Sequence, residues 1–160
     1  TSKKGNGVGL GNNQSVAMEY QATSELMQMK KCIEDVCYGG VKLQFENSLH
    51  DWGRQGVLCL NTALTCSNEK EDAHVNHWEL FLKEVLTSLS DKDSGLIFAF
   101  IGDACKYTKY VDDSKHFVLQ EKESIRDCVI TKKIWRSNIF NDIDEVIVTD
   151  SGDPFTPIEW

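Results

Sequence analysis

The sequence predicts an α/β protein in which a short parallel sheet is flanked by helices on both faces. Three observations predict it. Apolar runs of strand length stand at 56–61, 95–102 and 116–120. Amphipathic stretches of helical period separate and flank them, and strands that alternate with helices pair in parallel, because parallel neighbours need a crossover. The chain has 160 residues, 41% hydrophobic and 26% charged, which suits a single domain with a core of its own.

The opening TSKKGNGVGLGNNQS lacks the apolar centre of a secretory signal and reads as a flexible arm, residues 1–15, ahead of a domain from 16 to 160. Leu26, Met29, Ile33 and Val36 recur at helical spacing and predict a helix over 23–37. Gly56-Val-Leu-Cys-Leu-Asn61 has the pattern of a strand buried on both faces. Trp78, Phe81, Leu82, Val85, Leu86 and Leu89 share a broad stripe, predicting a helix that begins between Asp72 and Asn76. The run from Gly95 to Gly102 is a second buried strand closed by glycine, and His116 to Gln120 a shorter third. Ile134, Ile139, Ile143, Val146 and Ile147 predict a last helix between 130 and 148, with an extended end. Leu58, Leu60, Phe98, Phe100 and Val118 are the expected core of the sheet. Ligands of such sheets sit beyond the carboxyl ends of the strands, so the residues after Leu60, Ile101 and Gln120 are the candidates for a site.

Charge and composition narrow the function. With 17 Lys and Arg against 25 Asp and Glu, the net charge is −8, and the average field repels nucleic acid and anionic membranes. A nucleic-acid site therefore needs a local basic edge, for which Lys106, Lys109, Lys115 and Lys122 are the candidates. No apolar run approaches the roughly 20 residues that span a bilayer, so no membrane partner is expected. The six cysteines are scattered without a Cys-x-x-Cys pair and read as reduced thiols of an intracellular protein. His74 and His77 form the one close histidine pair, but no third ligand stands at a diagnostic spacing. Neither a metal nor a cofactor is expected.

Four motifs in register carry a family resemblance. Trp52-Gly-Arg-Gln-Gly-Val-Leu-Cys-Leu-Asn-Thr-Ala-Leu-Thr65 is similar to the W-A-x-Q-G-V-L-L-L-N-x-x-L-T of uracil-DNA glycosylases, and His74, Trp78, Glu79 and Phe81 follow in order. Gly95 to Gly102 resembles the family's strand into its Gly-Ser loop, His116 to Gln120 its H-x-V-L-x strand, and Pro157-Ile-Glu-Trp160 its closing P-I-x-W. The resemblance covers about residues 16–160. It implies a three-layer α/β fold with a base-flipping site at the carboxyl edge of the sheet. There Asn61 takes the place of the asparagine whose amide reads the uracil; an asparagine after a strand also caps turns through its side chain. Gly102, followed by Asp103, takes the place of the Gly-Ser pair. The family's uracil-stacking phenylalanine falls on Glu19, with Tyr20 one residue away.

The chain also departs from the family pattern. The register of the water-activating G-Q-D-P-Y-H falls near Lys4 to Gly9, which has no Asp or Tyr, and that of the DNA-penetrating H-P-S-P-L falls on Glu123, Ser124, Ile125, Arg126 and Asp127. No catalytic residue of the family is matched. Loss of a positioned base costs about 10²–10⁴-fold and loss of an electrostatic stabiliser about 10²–10³-fold. Glu19, Glu25, Asp103, Glu121, Glu123 and Asp127 would ring the cleft with negative charge, which disfavours DNA there. These departures lead to the expectation of a non-catalytic scaffold subunit of a larger assembly. Two alternatives stand beside it: a divergent active glycosylase in which Glu19 or Asp103 orients water, and a subunit that binds DNA or tethers a polymerase. The family's central first strand has no apolar match before Val16, so either the fold is rearranged or that strand comes from a preceding segment or from another chain. A protein partner covering the open sheet edge is the expectation. The expected location is intracellular, nucleus or mitochondrion.

Overall fold

The computed structural model describes residues 23–44, 47–65, 67, 73–92, 95–152 and 157–160. The predicted arm over 1–15 and the positions of Glu19 and Tyr20 lie outside the described residues. The elements are, in order, α1 (Ser24–Val36), α2 (His50–Arg54), α3 (Val75–Ser90), β1 (Ile97–Ile101), a 3-10 helix (Gly102–Tyr110), β2 (Phe117–Glu121), α4 (Ile125–Ile130) and α5 (Ile139–Ser151). β1 and β2 pair in parallel, Ile97 opposite Phe117 and Ile101 opposite Glu121.

Because side chains alternate across a strand, the two strands feed two cores. On one face Ile101 and Leu119 pack against Leu26, Met29, Ile33, Trp52, Trp135 and Phe140, which come from the helices α1, α2 and α5 and the segment ahead of α5. On the other, Phe98, Phe100 and Val118 pack against Leu82 and Leu86 of α3 and Tyr107 of the 3-10 helix. This is the predicted helix, sheet, helix layering.

Local chemistry explains the element ends. Thr23 caps α1 by accepting the Leu26 N–H at 3.1 Å, and the predicted stripe of Leu26, Met29 and Ile33 is buried. After α1 the chain turns back over Glu34, a carboxylate only 2% exposed that accepts from the Leu43 N–H (3.0 Å) and Lys42 Nζ (3.3 Å). Burial pushes this carboxyl up, but those two donors outweigh it and leave Glu34 below its ordinary range. β2 is anchored through His116. Its Nδ1 accepts the Leu96 N–H at 3.1 Å and its Nε2–H donates to the Ser90 carbonyl at 2.8 Å, fixing the ring tautomer and joining β1, β2 and the end of α3. At the chain's far end Trp160 meets Trp52 edge-on with centroids 5.2 Å apart, and its indole N–H donates to Asp144 at 2.8 Å. Burial raises the Asp144 carboxyl above its ordinary range despite that bond.

The structure corrects four expectations. Residues 57–61 run without a sheet ladder, and Leu58, expected in the core, is 69% exposed. An apolar run becomes a buried strand only where a neighbour takes its backbone groups, and among the described residues none does so here. The predicted last helix starts at Ile139 rather than near Ile130. Ahead of it lies α4, which starts within the stretch that the resemblance aligns with the family's penetrating loop: Ser124 caps it by accepting the Asp127 N–H at 3.3 Å, and Ile125 and Cys128 bury. Phe81, assigned to the apolar stripe of α3, is 44% exposed.

Candidate active site

The carboxyl ends of β1 and β2 are locked against each other. Gly102 leaves β1 with φ +62°, a backbone region that side chains rarely adopt, and a Cβ there would stand 3.0 Å from the Ser124 Cβ and 3.1 Å from its Cα. The absent side chain therefore brings the end of β1 against the loop after β2. The Cys105 thiol binds both strand ends, donating to the Phe100 carbonyl at 3.4 Å and the Glu121 carbonyl at 3.5 Å. Burial, followed by the Glu121 charge, raises that thiol above its ordinary value, so it is a strap rather than a nucleophile.

The loop Glu123 to Asp127 is held from below by residues the sequence analysis did not single out. The Trp135 indole, fully buried, donates to the Glu123 carbonyl at 2.9 Å. Gln28 holds Trp135 in turn: its Oε1 accepts the Trp135 N–H at 3.1 Å while its Nε2 donates to the Lys133 carbonyl at 3.0 Å. A tryptophan inside the polar stretch TKKIWRSN was the one available signal; nothing marks Gln28 among the polar residues of α1.

Asn61 stands half-buried at the end of its extended segment, whose Val57 and Cys59 touch one core and Leu60 the other. Its side chain has no hydrogen-bond partner among the described residues, so it is not the cap of the following turn, and both its donor and acceptor are free. A few residues on, Thr65 Oγ1 accepts from the Trp78 indole at 2.8 Å and pairs with His74 Nδ1 at 2.9 Å, pinning the loop after Asn61 to the start of α3. The structure thus brings Gly102 and the loop Glu123 to Asp127 together, and shows no hydrogen bond from Asn61 to either. Among the described residues, no group of three or more His, Cys, Asp or Glu is placed to hold a metal ion.

The acidic residues of this edge have local reasons to be acidic. Glu25 and Asp127 lie in the first turns of α1 and α4, where the helix dipole favours negative charge. Glu121 accepts the Glu123 N–H at 2.8 Å. On the 3-10 helix, Lys106 Nζ and Lys109 Nζ each lie 5.0 Å from a ring centre, over Tyr107 and Tyr110 respectively.

A helix, sheet, helix sandwich with its loops at the carboxyl edge is a three-layer α/β fold of the class that takes ligands at that edge. A mimivirus UNG variant solved in complex with UGI superposes with a TM-score of 0.71 at 18% identity, covering 96% of this chain and 60% of that one. Mimivirus uracil-DNA glycosylase superposes at 0.60 over 71% of this chain and 40% of its own, with 22% identity. No protein-family model matches. In sequence, the chain is 34% identical over 108 residues to the uracil-DNA glycosylases of Clostridioides difficile and Proteus mirabilis, 66% of this chain and 47% of each of them. The relative from Fusobacterium nucleatum, of the same name, is 32% identical over the same length. Over the 108 residues it shares with them, the chain is similar to uracil-DNA glycosylases, and it spans about half the length of these curated relatives.

This overturns the expectation of a non-catalytic scaffold subunit. The relatives carry an enzyme's name, and of the acidic residues on which that expectation leaned, Glu25 and Asp127 stand in helix first turns and Glu121 accepts a backbone N–H.

Proposed function

We propose that this chain acts in the removal of uracil from DNA, as a divergent uracil-DNA glycosylase. The observation that carries the reading is the 34% identity over 108 residues to relatives of that name. The free amide of Asn61 supports it. Uracil offers a carbonyl acceptor and a ring N–H donor side by side, and a carboxamide with both groups unspent matches that pair. In this reading Asn61 holds the flipped base and Gly102 lets backbone come close to it. Tyr20, outside the described residues, offers a stacking face. Asp103, exposed directly after β1, is the carboxylate that orients water. Water adds to C1′ of the deoxyribose, the C1′–N1 bond breaks with its electron pair on the departing uracil, and the proton of the water passes to the carboxylate. Lys122 after β2 and Arg126 in the first turn of α4, with Lys106 and Lys109, face the phosphates. The location that fits is an intracellular compartment holding DNA, nucleus or mitochondrion.

A protein partner belongs to the same reading. The mimivirus neighbour was solved in complex with UGI, and the edge of β1 away from β2 has no strand beside it among the described residues, a place where a polypeptide could pair.

The test is release of uracil from uracil-containing single-stranded DNA. Release that falls about 10²-fold or more in Asn61→Ala is the expected result. Release equal in the two proteins, or none from the folded chain with its partner bound, would refute the assignment.

A further inference from the structure

We infer that Gln28 and Trp135 are positioning residues for single-stranded DNA. Acting through the Glu123 peptide, they set the loop after β2 at the height where Lys122 and Arg126 meet the phosphates. The inference deepens the site of the reading above and rests on that reading.

Glu123 belongs neither to β2 nor to α4, so no ladder and no helical turn fixes its peptide. Side chains hold it instead, one on each side. Its N–H donates to Glu121 Oε1 at 2.8 Å, and its carbonyl accepts the Trp135 indole N–H at 2.9 Å. The next residue, Ser124, lies against Gly102, where a Cβ would stand 3.0 Å from its own, and caps α4. The height of this peptide above the strand ends therefore follows the position of Trp135.

Trp135 can act as a prop only if its own backbone is fixed. Its ring is fully buried in the core that holds Leu26, Met29 and Ile33 of α1, and meets Phe140 edge-on with centroids 6.3 Å apart. The segment that carries it leaves α4 through Lys132, at φ +55°, and the Lys133 N–H donates to the Cys128 carbonyl at 2.8 Å. The Lys133 carbonyl and the Trp135 N–H then flank Ile134, which is exposed, and Gln28 takes both, at 3.0 and 3.1 Å. A carboxamide can do so because it carries a donor and an acceptor side by side; a carboxylate of the same length would lack the donor and set a charge against the Lys133 carbonyl. The relay runs from α1 through Gln28 and Trp135 to Glu123.

Its effect on binding follows from population. Lys122, exposed, precedes Glu123, and Arg126 stands in the first turn of α4 just after it. A cation helps to hold a phosphate only where the phosphate arrives. When the competent position of the loop is fractionally populated, apparent affinity falls by that fraction. DNA that has bound holds the loop in place, so the chemical step that follows is unchanged.

The experiment measures binding of a uracil-containing single-stranded oligonucleotide to the whole chain and to Trp135→Phe and Gln28→Met, each checked for folding by circular dichroism, together with the amide shifts of Ser124 and Asp127. Trp135→Phe keeps an aromatic ring in the core and removes the indole donor. Gln28→Met keeps the length and removes both amide bonds. Each is expected to move both amides and to raise Kd by about 10-fold, as a held fraction of about one-tenth requires. The double variant should do little more than either, because the two residues act in series. Ile33→Val thins the same core without touching the loop and is expected to move neither readout. In turnover, KM should rise with Kd while kcat stays within about 2-fold, a split that a general loss of stability does not give. Three results would overturn the relay: Kd unchanged in both variants, Kd raised equally in Ile33→Val, or Kd raised with the Ser124 and Asp127 amides unmoved. Binding that weakens as stated in a chain that releases no uracil would sink only the functional assignment. Asn61-dependent release with a Kd indifferent to both variants would sink only the relay.

Discussion

The runs Gly56 to Asn61 and Gly95 to Gly102 are near twins in sequence, and the fold treats them oppositely. Both are apolar, open on a glycine and are of strand length. The second becomes β1, paired with β2 and buried through Phe98 and Phe100. The first stays extended, with Leu58 69% exposed. Hydrophobic pattern specifies which residues want to leave water, but a strand is a property of two segments, since each backbone N–H and C=O in it must find a partner outside its own run. The difference between the twins is the presence of β2 beside one of them.

The sharpest way to break this comparison is to truncate one apolar side chain in each run. Phe98→Ala removes a ring packed between α3 and Tyr107 and is expected to cost about 3–5 kcal/mol in urea unfolding. Leu58→Ala is expected to stay within about 0.5 kcal/mol, as for an exposed residue. Similar losses at both positions would show that residues 57–61 are covered in the free chain and that the contrast is false.

Glycine gives a second, smaller contrast. Gly56 and Gly102 both have positive φ, +89° and +62°, but a Cβ on Gly56 meets nothing within 4 Å whereas one on Gly102 meets Ser124 at 3.0 Å. Gly56→Ala carries only the backbone penalty, about 1–2 kcal/mol. Gly102→Ala adds a collision with a backbone-anchored helix cap, so it is expected to cost more. It should also displace the loop Glu123 to Asp127, visible as changed amide shifts at Ser124 and Asp127. Equal costs with an unmoved loop would mean that the two strand ends are not locked together.

Much of this was legible in the sequence, for reasons the same contrasts make plain. The stripes that became α1 and α3, the runs that became β1 and β2, and the parallel pairing follow from local period and from the need for a crossover. Gly102 and Asn61 are singled out by their place after apolar runs and by the family resemblance those runs carry. The helix α4 was hidden because its buried face is only Ile125 and Cys128 within a charged stretch. The support under the loop was hidden more deeply: Gln28 and Trp135 are 107 residues apart, and no local period reports a contact at that separation.

A third test compares regions by pH. The stretch after α1 is tied down by Glu34, whose folded-state value lies below its ordinary one because the Leu43 N–H and Lys42 outweigh the upward push of burial. A carboxylate depressed by folding adds stability above its unfolded pKa and loses that contribution as pH falls through the folded value. Glu34→Gln is therefore expected to lower stability by about 1–3 kcal/mol at pH 7 and to flatten the acid limb of the stability curve. The open edge of β1 contains no such group, so Ala99→Ser should shift the curve without changing its slope. An acid limb unchanged in Glu34→Gln would remove the carboxylate from the account.

The smallest expected effect probes the core beside that open edge. Tyr107 is 1% exposed, and its hydroxyl has no hydrogen-bond partner among the described residues. A buried hydroxyl without a partner costs about 1–3 kcal/mol of desolvation that no bond returns. Tyr107→Phe removes the hydroxyl, keeps the ring stacked on Tyr110 at 6.3 Å, and is expected to leave the free chain as stable as before or more stable by about 1 kcal/mol. His116 in the same layer is the control, because both its ring nitrogens are engaged and His116→Phe forfeits two bonds at once. A clear loss of stability in Tyr107→Phe, measured by urea unfolding of the chain alone, would mean that the hydroxyl is already satisfied in solution and that this side of the sheet is more closed than its bonds indicate.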